Sequence, residues 1–257
     1  MNLELEGRTA LICGASQGLG FAIAEALAEE GCKVGLLARN ASKLDARVKD
    51  FTKRGLAAVP LPADMGHWEQ VKAALAQFGA PDILVNNSGG PPPVDVTAVD
   101  PVLWRSQFEA MVLNQMRLTE AALPAMRQRA FGRILSVAST SIVEPFPSLA
   151  ISNSLRAALA GWMKTLAGQV ARDGVTVNML LPGSFATERI DRLNARDAES
   201  RGVPLSRVVA EASAEIPLGR YGDPKEFGVV AAFLASPKAS YITGQMIRID
   251  GGATKSL

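Results

Sequence analysis

The sequence predicts an α/β protein: a doubly wound parallel sheet with helices on both faces, three layers in a single domain. Three observations carry that expectation. Short apolar runs alternate with stretches of helical periodicity from end to end, and repeated strand–helix–strand units build parallel sheets. A glycine-rich turn lies between the first strand and the first helix. At 257 residues and 48% apolar composition the chain can fill one sizeable core, and no linker, repeat or low-complexity tract divides it.

Residues 8–13 are a short apolar run with the pattern of a buried strand, and Gly14-Ala15-Ser16-Gln17-Gly18-Leu19-Gly20 follows at once. Phe21, Ile23, Ala24, Leu27 and Ala28 then recur at helical spacing until Gly31. A turn this sharp needs backbone angles that side chains forbid. A pyrophosphate approaches only bare backbone, and the helix start offers it free N–H groups. This is the arrangement of a Rossmann-type dinucleotide fold.

Further strands are expected at 33–38, 56–61, 83–86, 133–138, 175–181 and 245–249. Helices are expected at 42–54, 66–78, 152–173 and 224–235, with a long helical region at 101–128 that Pro124 bends or breaks. Two stretches depart from the rhythm. Gly89-Gly90-Pro91-Pro92-Pro93 is a stiff loop, and 188–215 is a charged, helix-prone insertion holding Arg189, Arg192, Arg196 and Arg201. Such an insertion reads either as a substrate lid or as a solvated surface helix.

The bulk numbers exclude several functions. A net charge of +2, from 27 basic and 25 acidic residues, leaves no footprint for nucleic acid or membrane. No apolar stretch has the length of a spanning helix and no secretory signal opens the chain, so a soluble, cytoplasmic protein is expected. Cys13 and Cys32 read as reduced core thiols, and the single histidine, His67, as a helix cap or packing residue beside Trp68. One histidine excludes a Ser-His-Asp triad and a His/Cys metal cluster.

In such sheets ligands bind beyond the carboxyl ends of the strands. Arg39 follows the second strand, where an acid would accept from a ribose 2′-OH; a guanidinium either suits a 2′-phosphate, favouring NADP(H) over NAD(H), or is a solvated charge capping a loop. Asp64, after the third strand, either accepts from an adenine amino group or caps the next helix. Asn86-Asn87-Ser88-Gly89-Gly90, after the fourth, suits a backbone passing close to a ligand and equally a knot joining neighbouring strands.

In this order the motifs resemble the short-chain dehydrogenase/reductase family over essentially the whole chain, most nearly the branch of 3-oxoacyl-carrier-protein reductases. The family's T-G-x-x-x-G-x-G stands here as Cys13 to Gly20, and its N-N-A-G as Asn86-Asn87-Ser88-Gly89. Its helix asparagine matches Asn114; its P-G turn and threonine match Pro182-Gly183 and Thr187, the stretch that in the family holds the nicotinamide carboxamide. Its closing strand and glycines match Tyr241-Ile242-Thr243-Gly244 and Asp250-Gly251-Gly252. The resemblance implies a coenzyme surface made of Gly14, Ser16, Gln17, Gly18, Leu19 and Gly20, then Arg39, Asp64, Asn86, Ser88 and Gly89, then Arg156, Pro182, Gly183, Phe185 and Thr187. It also implies a homo-oligomer, dimer or tetramer, for which the long helix offers small residues at Ala157, Ala158, Ala160 and Gly161.

The chemistry departs from the family pattern. There a serine is followed by a tyrosine and a lysine spaced Y-x-x-x-K, one helical turn apart on a shared face. Ser139 matches the serine, but Ser152 stands for the tyrosine and Arg156 for the lysine. The only tyrosines, Tyr221 and Tyr241, lie far along the chain. A phenol, with a reference pKa of about 10, becomes a usable acid beside a cation, whereas an aliphatic hydroxyl is a poorer donor and arginine does not release its proton usefully. Three readings follow: an NADP(H)-dependent carbonyl reductase or alcohol dehydrogenase working through Asn114, Ser139, Ser152 and Arg156; a dinucleotide-binding regulator or scaffold that does no chemistry; or, ranked last, different chemistry such as dehydration or isomerisation at the same pocket. Val94, Phe146 and Phe185 either line an acyl-sized pocket or pack as core and loop residues.

Overall fold

The computed structural model describes residues 1–256. Its strands are β1 (Thr9–Cys13), β2 (Lys33–Ala38), β3 (Ala58–Pro62), β4 (Ile83–Asn86), β5 (Gly132–Val137), β6 (Val175–Pro182) and β7 (Met246–Ile249). They form one seven-stranded sheet in the order β3-β2-β1-β4-β5-β6-β7. Every pairing is parallel. The helices are α1 (Gly18–Glu29), α2 (Ala41–Lys53), α3 (Trp68–Phe78), α4 (Pro101–Phe108), α5 (Asn114–Gln128), α6 (Ala150–Val170), α7 (Glu188–Arg201), α8 (Leu205–Ala214) and α9 (Pro224–Ala235).

Side chains alternate across a strand, so each strand feeds two cores. Ala10 and Ile12 of β1 join one core with Ile23 and Leu27 of α1 and Phe227 and Ala231 of α9. Leu11 and Cys13 of the same strand join the other with Val71 of α3, Leu118 of α5 and Leu159 of α6. Helices α1 and α9 pack closely because Gly228 lets α9 against the backbone of α1: a Cβ at Gly228 would lie 2.5 Å from the carbonyl oxygen of Ala22. These are the three layers that the alternating pattern predicts.

The long helical region is interrupted, but not at Pro124. A π-helical stretch, Glu109–Leu113, separates α4 from α5, and the backbone N–H of Asn114 reaches the carbonyl of Glu109. Pro124 sits inside α5 on its exposed face while Leu123 and Met126 beside it are buried. Water can take the carbonyl that proline leaves free, and packing holds the helix through it. His67 holds the N-cap position of α3 by its backbone alone. Its side chain makes no capping bond and is 68% exposed, so it neither caps nor packs. The 188–215 segment folds as α7 and α8. Arg201 bridges them, reaching Asp197 on its own helix and Glu211 on the next. No helix among the described residues is long and apolar enough to cross a membrane.

Candidate active site

The strand order changes direction between β1 and β4, and the crevice lies beyond their carboxyl ends. The turn after β1 is closed around Asn87, the first residue past β4. Gly14 has φ +62°, and a Cβ on it would lie 2.6 Å from Asn87 Nδ2. A Cβ on Gly20 would strike the carbonyl of Gly14 and lie 2.7 Å from the same amide nitrogen. Glycine is therefore required here by space as well as by angle. Helix α1 starts at Gly18 behind Gln17, with no side-chain cap and no acidic residue in its first turn. Its leading N–H groups are left for an external anion. From the far side of the crevice, the methyl of Thr187 approaches to 3.7 Å of the place a Gly18 Cβ would take.

Two cations, Lys43 and Arg47, touch this turn, and a third, Arg39, follows β2 beside it. Arg39 is exposed and has neither an ionic nor a hydrogen-bond partner among the described residues. Lys43 Nζ donates to Gln17 Oε1 at 2.6 Å, and Arg47 Nε donates to the carbonyl of Ser16 at 3.2 Å. The Arg47 guanidinium also lies 4.0 Å over the ring of Phe21. The sequence reading singled out Arg39 and missed Lys43 and Arg47. The available signal was their i,i+4 spacing on the helix after β2, which puts them on one face. Asp64 Oδ1 accepts from the N–H of Gly66 at 2.9 Å, closing the turn before α3.

Beyond β4 the polar side chains are largely turned inward. Asn86 is fully buried and its Nδ2 donates to Thr119 Oγ1 at 2.9 Å. Gln115 Nε2 donates to Ser88 Oγ at 3.1 Å. Oδ1 of Asn86 and Oε1 of Gln115 are buried without a partner. Gly89, by contrast, faces open space. Asn114, also fully buried, donates from Nδ2 to the carbonyl of Met65 at 2.8 Å, tying α5 to the loop after β3. The side chains of Asn86 and Asn114 are thus both hydrogen-bonded within the scaffold.

Beyond β6, Pro182 ends the strand and Gly183 donates its N–H to the carbonyl of Ile249 at 3.0 Å. Phe185 is a core residue: it is 5% exposed and stacks edge-on against Phe227 at 5.3 Å. Leu19 packs against the same core. Thr187 caps α7, its Oγ1 accepting from the N–H of Ile190. Val94 packs beside the buried Met111 and Ile151, and its N–H reaches the carbonyl of Ser148 at 3.1 Å, whereas Phe146 is exposed.

The residues matched to the family's serine, tyrosine and lysine positions lie at β5 and α6. Ser139, just past β5, accepts the N–H of Ser141 at 3.1 Å, which leaves its own O–H free to donate. Ser152 is 4% exposed. Arg156 Nε donates to Ser152 Oγ at 3.1 Å, and its Nη1 donates to the carbonyl of Val137 at 2.8 Å. Since Ser152 accepts from Arg156, its own proton is not engaged by that bond. Burial, and then the nearby Arg189, push the Arg156 guanidinium down to about 10, so it stays charged at neutral pH. No phenol replaces the missing one here. The Tyr221 hydroxyl accepts from Asn194 Nδ2 at 3.0 Å, and Tyr241 is fully exposed.

Residues 14–254 match the family model described as enoyl-(acyl carrier protein) reductase. The 3-oxoacyl-[acyl-carrier-protein] reductase of Vibrio cholerae is 36% identical over 251 residues, covering 97% of this chain and 98% of its own. The NADPH-dependent reductase BacG of Bacillus subtilis is 31% identical over 259 residues, covering 97% and 99%. The crystal structure of L-sorbose reductase from Gluconobacter frateurii, complexed with NADPH and L-sorbose, superposes with a TM-score of 0.94 at 31% identity over 100% of both chains. A matching family model, curated relatives of the same length and a shared sheet all agree: the chain belongs to the short-chain dehydrogenase/reductase family.

Proposed function

We propose that this protein is an NADP(H)-dependent oxidoreductase that interconverts a carbonyl and an alcohol, with Ser152 and Arg156 doing the work of the family's tyrosine and lysine. The observation that carries this reading is the Arg156-to-Ser152 hydrogen bond at 3.1 Å, which couples a cation to a hydroxyl one turn away at the carboxyl end of β5. The residues present fit a dinucleotide. Gly14 and Gly20 have no room for a Cβ, the N-terminus of α1 has no cap of its own, Lys43 and Arg47 reach the turn, and Arg39 follows β2, the neighbouring strand, as cations suited to a 2′-phosphate. NADPH-bound and NADPH-dependent relatives support the same choice.

A bound nicotinamide coenzyme supplies or accepts the hydride at the carbonyl carbon. The hydroxyls of Ser139 and Ser152 donate to the substrate oxygen and fix its position. As negative charge develops on that oxygen, Arg156 stabilises it through Ser152 Oγ. Serine is too weak an acid to be the net proton source, so a water relayed through Ser152 supplies the proton that the oxygen keeps. The buried Asn114 holds α5 in place beneath the site, and α7 and α8 cover it as a lid. The exposed small residues Ala157, Ala158 and Gly161 of α6 offer a face for close helix packing between subunits of a homo-oligomer.

Consumption of NADPH with a panel of ketones and aldehydes, followed by absorbance, tests the proposal. Turnover that falls in Ser152→Ala is the expected result. A second reading, a coenzyme-binding regulator or scaffold without chemistry, is favoured by the missing tyrosine: neither Tyr221 nor Tyr241 is hydrogen-bonded to Ser139, Ser152 or Arg156. It requires tight NADPH binding with no turnover, and activity that arises only when Ser152→Tyr and Arg156→Lys are combined.

A further inference from the structure

The crevice holds a second unpaired arginine beyond the one the chemistry uses. Arg156 is anchored at the carboxyl end of β5 on the carbonyl of Val137. Arg189, from the first turn of α7, reaches back over the loop after β4, where its Nη1 donates to the carbonyl of Gly90 at 3.3 Å. Strands β4 and β5 are hydrogen-bonded neighbours, so both guanidiniums stand at the same end of adjacent strands. Gly90 makes this possible: a Cβ there would lie 2.5 Å from Arg189 Nη2 and 2.8 Å from its Cζ. Any other residue would push the guanidinium away.

Neither arginine has a carboxylate partner among the described residues. The acid nearest in sequence, Glu188, is turned to Lys43 at 3.4 Å and to Arg192 at 3.8 Å. The charges that each feels are positive: Arg189 acts on Arg156, and Arg192 acts on Arg189. Arg156 is half-buried and Arg189 exposed, so together they present accessible positive charge without a counter-ion. Other arginines of this protein do sit on acids, as Arg54 does on Glu25, Arg127 on Asp173 and Arg220 on Glu226. Each of the two guanidiniums keeps N–H donors that no protein group takes, and the planar fork of arginine suits a carboxylate.

Building on the oxidoreductase reading, we infer that the substrate is an oxo acid or hydroxy acid, its carboxylate held by Arg189 beside Arg156 while its carbonyl or hydroxyl oxygen meets Ser139 and Ser152. Arg189 then serves as a specificity residue carried by the lid. Docking of the anion draws α7 toward the loop after β4, so acid binding and closure of the site are one event.

Calorimetric titration tests this, with the full chain both free and saturated with NADPH. The probes are short 2-oxo and 3-oxo acids, each compared with its neutral amide. The expected result is an acid bound at least about tenfold more tightly than its amide. That preference disappears in Arg189→Met and is retained in Arg196→Met, an arginine of the same helix outside the site. NADPH affinity of Arg189→Met stays within about twofold of the parent. Equal binding of acids and amides, binding of neither, or a preference that survives Arg189→Met overturns the inference. So does an NADPH affinity that falls in step with the acid, which would assign Arg189 to the coenzyme. Failure of NADPH to bind at all sinks the coenzyme reading instead, and the acid preference of the free protein is read separately.

Discussion

Ser152 and Arg156 lie one turn apart on α6, and the arginine donates from Nε to the serine hydroxyl at 3.1 Å while its other arm is fixed on Val137 at 2.8 Å. The arginine therefore cannot swing away from the serine without abandoning the end of β5. The charge is delivered to one hydroxyl in one geometry, which is what electrostatic stabilisation of a developing oxyanion requires.

The protonation state of Arg156 sets an upper pH limit. Burial, with Arg189 adding to it, lowers the guanidinium to about 10. As a base it carries its charge below that value and loses it above, so kcat is expected to fall as pH rises through about 10. In Arg156→Lys the same burial acts on a group whose ordinary value is already about 10.4, so the fall moves to lower pH. Arg156→Met should lower kcat by about a hundredfold and remove this limb of the profile. Initial rates across pH, with NADPH saturating, check both outcomes.

On the proposed reading, coenzyme choice follows from the cations around the turn after β1. Arg39→Ala and Lys43→Ala are each expected to weaken NADPH by about tenfold and to leave NADH nearly unchanged, since each removes one charge-assisted contact to a 2′-phosphate. Arg47→Ala also strips the Phe21 ring of its partner at 4.0 Å, so some loss of stability accompanies its effect. Fluorescence titration with the two coenzymes, paired with thermal melts, separates binding from stability.

The steric argument for the cradle rests on Gly20. Its backbone is not left-handed, so an alanine there is excluded by contact alone: the added Cβ meets the carbonyl of Gly14 and lies 2.7 Å from Asn87 Nδ2. Gly20→Ala should cost about 1–3 kcal/mol of stability by overpacking and abolish NADPH binding at micromolar coenzyme. Gly89→Ala, in open space, should leave the fold unaltered. Chemical denaturation of the pair measures the difference.

Both cysteines should be chemically silent in the folded protein. Burial raises the thiols of Cys13 and Cys32 to about 12. The reactive thiolate is then about one part in ten thousand at pH 8. Iodoacetamide is expected to label neither thiol in the native protein and both in urea, as read by mass spectrometry.

The sheet was legible because its strands are apolar runs bounded by turn residues; β2, β4 and α9 fall where the pattern predicts them. What failed was local and has local causes. Proline at 124 looks like a breaker in sequence, but a solvent-facing carbonyl removes its penalty, and the real irregularity at Glu109–Leu113 is formed of ordinary helical residues. The site divides in the same way. The places of the glycine turn, Ser139, Ser152 and Arg156 beside β1, β5 and α6 could be read from spacing. The burial of Asn86 and Asn114 depends on Thr119 and Met65, residues 33 and 49 positions away, and no short pattern encodes such partners. Arg189 was visible only as one charge among several in the insertion. Its meaning comes from Gly90, which is 99 positions distant.

The most direct measurement of the account is single-turnover oxidation of bound NADPH by a carbonyl substrate, comparing the parent protein with Ser152→Ala and with Ser152→Tyr combined with Arg156→Lys. The account predicts hydride transfer in the parent and a rate lower by about a hundredfold in Ser152→Ala at unchanged NADPH affinity. Coenzyme that binds tightly yet stays reduced in the parent, and is oxidised only in the double variant, would contradict it.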